Sequence, residues 1–139
     1  MSHDQSEALL NEIGQLLALD ADYPGIDTLL YAEVGEGYIG ESIFKILGDQ
    51  FLYRYPLNKR LPYALLELWK AQESDERWAE LEYVLRDGEF DVTYFYPEEI
   101  DPEEILTERR ERSLARHFGD KPIVYPPWPP EDDFSDDEM

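Results

Sequence analysis

The dipeptide Asp87-Gly88 lies between two runs, residues 78–86 and 89–96, in which apolar and polar side chains alternate, and together these features leave the chain few options. Alternation is the period of a β-strand, and Asp-Gly suits a two-residue hairpin loop that needs positive φ. Folding at that loop sets Leu85 opposite Phe90, Tyr83 opposite Val92, Leu81 opposite Tyr94 and Ala79 opposite Tyr96, all on one face. An antiparallel sheet follows, with one apolar face to be covered. The other face carries Glu80, Glu82, Glu89 and Asp91 among Val84, Arg86, Thr93 and Phe95, and reads as a sheet face turned to solvent.

The remaining elements are arranged around this hairpin. Leu9, Leu10, Ile13, Leu16 and Leu17 recur at three- and four-residue spacing, which predicts an amphipathic helix over residues 6–19, ended by Tyr23-Pro24-Gly25. Residues 28–34, 38–47 and 50–55 read as three strands. The last two join at Gly48-Asp49, which places Phe44 opposite Tyr53 and Ile46 opposite Phe51. Pro62 suits the start of a second helix that runs toward Glu73 through Tyr63, Leu65, Leu66, Leu68 and Trp69. Asp101-Pro102-Glu103-Glu104 reads as the start of a third, and Gly119 as its stop. Arg109, Arg110, Arg112 and Arg116 lie between, so the helix is acidic at its start and basic near its end, as its own dipole favours.

The predicted fold is α+β in the order α-βββ-α-ββ-α. It has an antiparallel sheet of about five strands, a three-strand meander followed by a hairpin, with helices packed on one face. One domain covers residues 1–121. Residues 122–130, with five prolines, form an extended strap in which Ile123, Tyr125 and Trp128 are placed to lie against the domain, and residues 131–139 form an acidic disordered tail.

Charge separates the functional classes. Against 12 Lys and Arg stand 33 Asp and Glu, a net charge of −21, on a chain that is 42% hydrophobic and 14% aromatic and so has ample material for a core. Removing the six carboxylates of residues 131–139 still leaves −15. A folded surface this acidic repels nucleic acid and anionic lipid and attracts cationic partners, in a salt-dependent way. Without cysteine there is no disulfide, thiolate metal site or thiol nucleophile, and no segment reads as an export signal or membrane span, so the expected location is cytoplasmic.

No motif points to catalysis. Gly35-Glu36-Gly37-Tyr38-Ile39-Gly40 has the spacing of a dinucleotide-binding loop, but Glu36 and Glu41 would repel a pyrophosphate and the next segment reads as a strand, so a flexible turn is the better reading. Adjacent acids such as Glu98-Glu99 and Glu103-Glu104 lack the contrasting environments that glycosidase carboxylates need. His3 and His117 have no metal-ligand spacing, and His117 reads as a helix-end residue chosen for the dipole. Neither cofactor nor metal is expected, and the chain is read as a binding protein, not an enzyme.

The order of elements, the run from Asp87 through Gly88, Glu89, Phe90, Asp91, Val92, Thr93, Tyr94 and Phe95 to Tyr96, and the acid-Pro segment after it resemble the YezG-like immunity family of bacterial toxin systems. The resemblance covers chiefly residues 77–118; the proline strap and acidic tail depart from it. It implies a cytosolic antidote that binds a polymorphic toxin domain, often a nuclease, and it carries no catalytic residues. A basic nuclease cleft and a rigid acidic surface are complementary, which fits the charge independently. A general acidic interaction module, or a DNA-mimic inhibitor of a DNA-binding protein, is the alternative. The expected partner surface is Glu80, Glu82 and Asp91 on the outer hairpin face, continued by Glu98, Glu99, Glu103 and Glu104. The expected partner is a basic protein, with no nucleic acid and no membrane bound.

Overall fold

The computed structural model describes residues 2–20, 22–54, 59–72 and 77–126. Its elements are α1 (Ser2–Ala18), β1 (Thr28–Gly35), β2 (Tyr38–Leu47), β3 (Gln50–Arg54), α2 (Arg60–Lys70), β4 (Glu80–Arg86), β5 (Glu89–Phe95), a 3₁₀ turn (Pro97–Glu99), α3 (Leu106–Phe118) and β6 (Ile123–Val124). They form an α+β fold whose sheet has the order β5-β4-β1-β2-β3-β6, antiparallel throughout except for β3 with β6.

Turn chemistry fixes the registers. Asp87 and Gly88 both have positive φ, 56° and 83°, as a type I′ loop requires, and β4 and β5 pair with Leu85 opposite Phe90, Tyr83 opposite Val92 and Leu81 opposite Tyr94. At the other tight turn Gly48 alone has positive φ, 59°, and Phe44 faces Tyr53 while Ile46 faces Phe51. Both registers agree with the sequence reading. Gly35 and Tyr38 close the β1–β2 hairpin around Glu36-Gly37, so the glycine-rich segment is a turn between strands.

Alternation along the strands divides the core in two. On one face, Leu30, Ala32, Ile43, Leu81 and Tyr83 pack against Leu9, Ile13 and Leu17 of α1 and Leu61, Ala64, Leu65, Leu68 and Trp69 of α2. Gly14 permits the closest approach: a Cβ there would stand 2.6 Å from the Tyr83 hydroxyl, which donates to the Leu10 carbonyl at 2.7 Å. On the other face, Leu29, Tyr31, Phe44, Phe51 and Val84 pack against Leu114, with Leu106 and Phe118 of α3 at the margin. The expectation of helices on one face is therefore corrected, because α3 covers the face that reads as solvated.

Other boundaries also move. The third helix begins at Leu106, not at Asp101, because Asp101 is spent on a turn: its Oδ1 accepts the Glu103 N–H at 3.0 Å and its carbonyl accepts that of Glu104 at 3.1 Å. Gly119, with φ 88°, ends it as expected. The strap contributes a sixth strand. The Pro122 carbonyl accepts the Phe51 N–H at 2.9 Å, Ile123 pairs with Phe51, and the Tyr125 ring centroid lies 5.3 Å from that of Tyr53. Trp128 and the acidic tail lie outside the described residues.

Candidate interaction surface

The seven carboxylates expected to meet a partner divide into two sets. Glu80 and Glu82 alternate with Leu81 and Tyr83 on β4 and do point to the face opposite α1, but α3 lies over them and they are 2% and 1% exposed. Glu80 accepts the Tyr31 hydroxyl at 2.7 Å and the Arg109 Nε–H at 2.8 Å, with Arg109 Nη2 on its second oxygen. Glu82 is held by Arg116 and by the His117 ring. Glu104 pairs with Arg112, whose Nη2 lies 2.9 Å away. Glu80 and Glu82 are therefore corrected from partner-binding to buried, internally engaged positions, while Glu104 is partly buried and paired at the surface. Burial leaves each β4 carboxylate dependent on a counterion, and α3 supplies them.

Asp91, Glu98, Glu99 and Glu103 are exposed. Asp91 stands on β5 beside exposed Glu89, and Glu98, Glu99, Asp101 and Glu103 follow in the turns leading to α3. Glu99 also shapes the backbone, since its Oε1 accepts the Tyr96 N–H at 2.8 Å at the exit of β5.

Most of the described cations are engaged within the fold. Arg109 and Arg116 neutralise the buried β4 acids. Arg110 donates to Ser42 Oγ at 2.8 Å and lies over the Phe44 and Tyr53 rings. Arg54 grips Asp20 through two 2.8 Å bonds, and Arg60 joins Glu12 to Glu67. Arg77 covers Trp69, Arg86 covers Phe118 and Lys121 approaches Phe51. Lys45, fully buried, donates to the Leu17 carbonyl at 3.1 Å and Thr28 Oγ1 at 2.8 Å, so an ammonium caps the negative end of α1. Each of these cations thus has a partner within the fold, while Arg60, Arg86 and Arg116 also remain open to solvent.

The titrating groups record the same division. Burial works to raise the Asp20 carboxyl, but Arg54, the Asp22 N–H and the charge of Lys45 outweigh it and hold its pKa below the usual value. Glu41, on the α1/α2 face opposite Ala32, has no comparable partner; one carboxyl oxygen is buried without a hydrogen bond, and burial pushes its pKa up to about 7. Burial, together with the hydrogen bond to Glu80 and its charge, raises the Tyr31 phenol.

Among the described residues no group of His, Asp and Glu is arranged to hold a metal ion. A cleft of about 320 Å³ lies between α1 and the end of the β4–β5 hairpin, lined by Asn11, Gln15, Leu85 and Phe90 among others. Its one carboxylate, Asp27, accepts the Asp87 N–H at 3.1 Å. No described helix is long and apolar enough to cross a membrane.

No protein-family model and no curated protein matches this chain. The two engaged β4 acids could have been paired from sequence: Arg109 and Arg116, seven residues apart, share one helix face, as Glu80 and Glu82 share one strand face.

Proposed function

We propose that this chain is an acidic binding protein that neutralises a basic protein, such as a nuclease toxin domain, by occupying the surface on which that protein grips phosphates. The observation that carries the reading is the contrast between cations that are engaged within the fold and carboxylates that are exposed. Glu89, Asp91, Glu98, Glu99, Asp101 and Glu103 are by contrast exposed, along β5 and through the turns that lead to α3. Rigidly held carboxylates of this kind steer a cationic partner and can stand in for a phosphate backbone. The resemblance to the YezG-like immunity family points to the same class of partner.

The test uses the full chain as bait in the source lysate, followed by titration of the purified captured protein. Expected are a basic partner, an affinity that falls steeply between low and physiological salt, and loss of the partner's nucleic-acid binding as the complex forms. The doubly reversed Asp91→Lys, Glu103→Lys chain should associate about tenfold more slowly or worse. A neutral or acidic partner, or an affinity indifferent to salt, would overturn the proposal.

A further inference from the structure

The two edges of the sheet are finished differently. The β3 edge is closed by β6, a two-residue strand between Pro122 and Pro126, neither of which has an N–H to offer a further strand. The β5 edge has no such cover: all seven residues pair in unbroken register with β4, and no described segment pairs along the outer side. Lys, Pro and bulges, the usual means of blunting an edge, are absent from Glu89–Phe95.

The side chains of β5 specify what could pair there. Toward α1 it presents Phe90, Val92 and Tyr94, which are only half-buried yet held in place, with Phe90 stacked on Tyr83 at 5.3 Å and Tyr94 against Trp78 at 5.7 Å. On the opposite side Glu89 and Asp91 are exposed. A strand laid along this edge would set alternate residues beside an apolar row and beside two carboxylates. A second copy of the chain would bring one net charge of −21 against another, which is unfavourable.

We infer that the free edge of β5 receives an extended segment of a protein partner in which apolar residues alternate with Lys or Arg. The inference rests on the proposed basic partner and adds the mode: main-chain hydrogen bonds from a preformed strand supply affinity, and the two faces of β5 select the sequence. Because β5 is already ordered by β4, little of its conformational freedom remains to be lost on binding.

The full-length protein, isotopically labelled for NMR, is titrated at low salt with a blocked peptide of about nine residues alternating Val and Lys, long enough to span β5. Two further peptides are N-methylated on alternate residues, one on each edge of the extended chain. Expected are amide shifts and slowed exchange concentrated in residues 89–95. One N-methylated peptide should bind about tenfold or more weakly while the other is little affected, because only one edge donates to β5. Glu89→Lys with Asp91→Lys should weaken binding comparably, and a Val–Glu peptide should not bind.

Equal binding of both N-methylated peptides, or shifts confined to residues 98–103, would overturn the edge inference while leaving the basic-partner reading intact. No binding of the Val–Lys peptide would count against both. Concentration-dependent broadening of residues 89–95 in protein alone would assign the edge to a second copy and overturn the inference.

Discussion

The two faces of the sheet are both covered by helices but by different means. Beneath α1 and α2 the contact is mainly apolar, with Ile13, Leu17, Leu61, Ala64, Leu65 and Leu81 all fully buried, and the charged groups Lys45 and Glu41 share this face. Beneath α3 a smaller apolar group around Leu114 is supplemented by charge, Arg109 on Glu80 and Arg116 with His117 on Glu82. A hydrophobic face tolerates approximate fit, whereas a buried carboxylate is tolerated only while its counterion is in place. The α3 face is therefore the more specific of the two and the easier to break with one charge.

Reversal of Glu82 should have the largest effect. Glu82→Lys removes the acceptor shared by Arg116 and the His117 ring and buries a charge of the same sign as Arg116 beside it, so the loss in unfolding free energy by urea titration should be about 3–5 kcal/mol. Asp91→Lys, two strand positions from the hairpin loop but exposed, should stay within about 0.5 kcal/mol. Equal effects would mean that α3 does not cover β4. On the other face Leu65→Ala should cost about 2–5 kcal/mol through the cavity it leaves, and this cost should be nearly independent of salt.

A smaller effect, opposite in sign, is expected at Glu41. Its folded pKa, raised from 4.5 to about 7, means that the native state holds the proton more tightly than the unfolded chain. The stabilisation is full below 4.5 and is lost as pH rises through about 7, where the carboxylate must be charged in a poorly hydrated position. Glu41→Gln should therefore unfold on the order of 1–3 kcal/mol later than wild type above about pH 7, with the advantage shrinking as pH falls toward 4.5. A variant that is less stable at alkaline pH would reveal a partner for the carboxylate.

These contrasts also separate what was legible in the sequence from what was not. Asp87-Gly88 and Gly48-Asp49 act on their immediate neighbours, so both hairpin registers could be derived residue by residue. Alternation shows which side chains share a face, but not what lies over that face. It thus puts Glu80 and Glu82 on the correct side without showing that α3 buries them. The four arginines of α3 have a sufficient local explanation in the helix dipole, which conceals their long-range one. Within the expected partner surface, Asp91, Glu98, Glu99 and Glu103 are open because they sit on an edge strand and in turns, whereas Glu104 is engaged by Arg112 two helical turns on.

The parallel pairing of β6 with β3 has a consequence for how the chain is assembled. Phe51 and its partner Ile123 are separated by about half of the sequence, with α2, the β4–β5 hairpin and α3 all between them. During synthesis from the N-terminus, β3 is complete long before anything exists to close it, and its outer N–H and C=O groups stay available to wrong partners for that interval. Contacts this distant are also the last for which the entropy of loop closure can be recovered. The far edge of the sheet is thus expected to set the vulnerable period of folding on that side, and the short proline-flanked strand that ends it marks the point at which the β3 edge is closed to association.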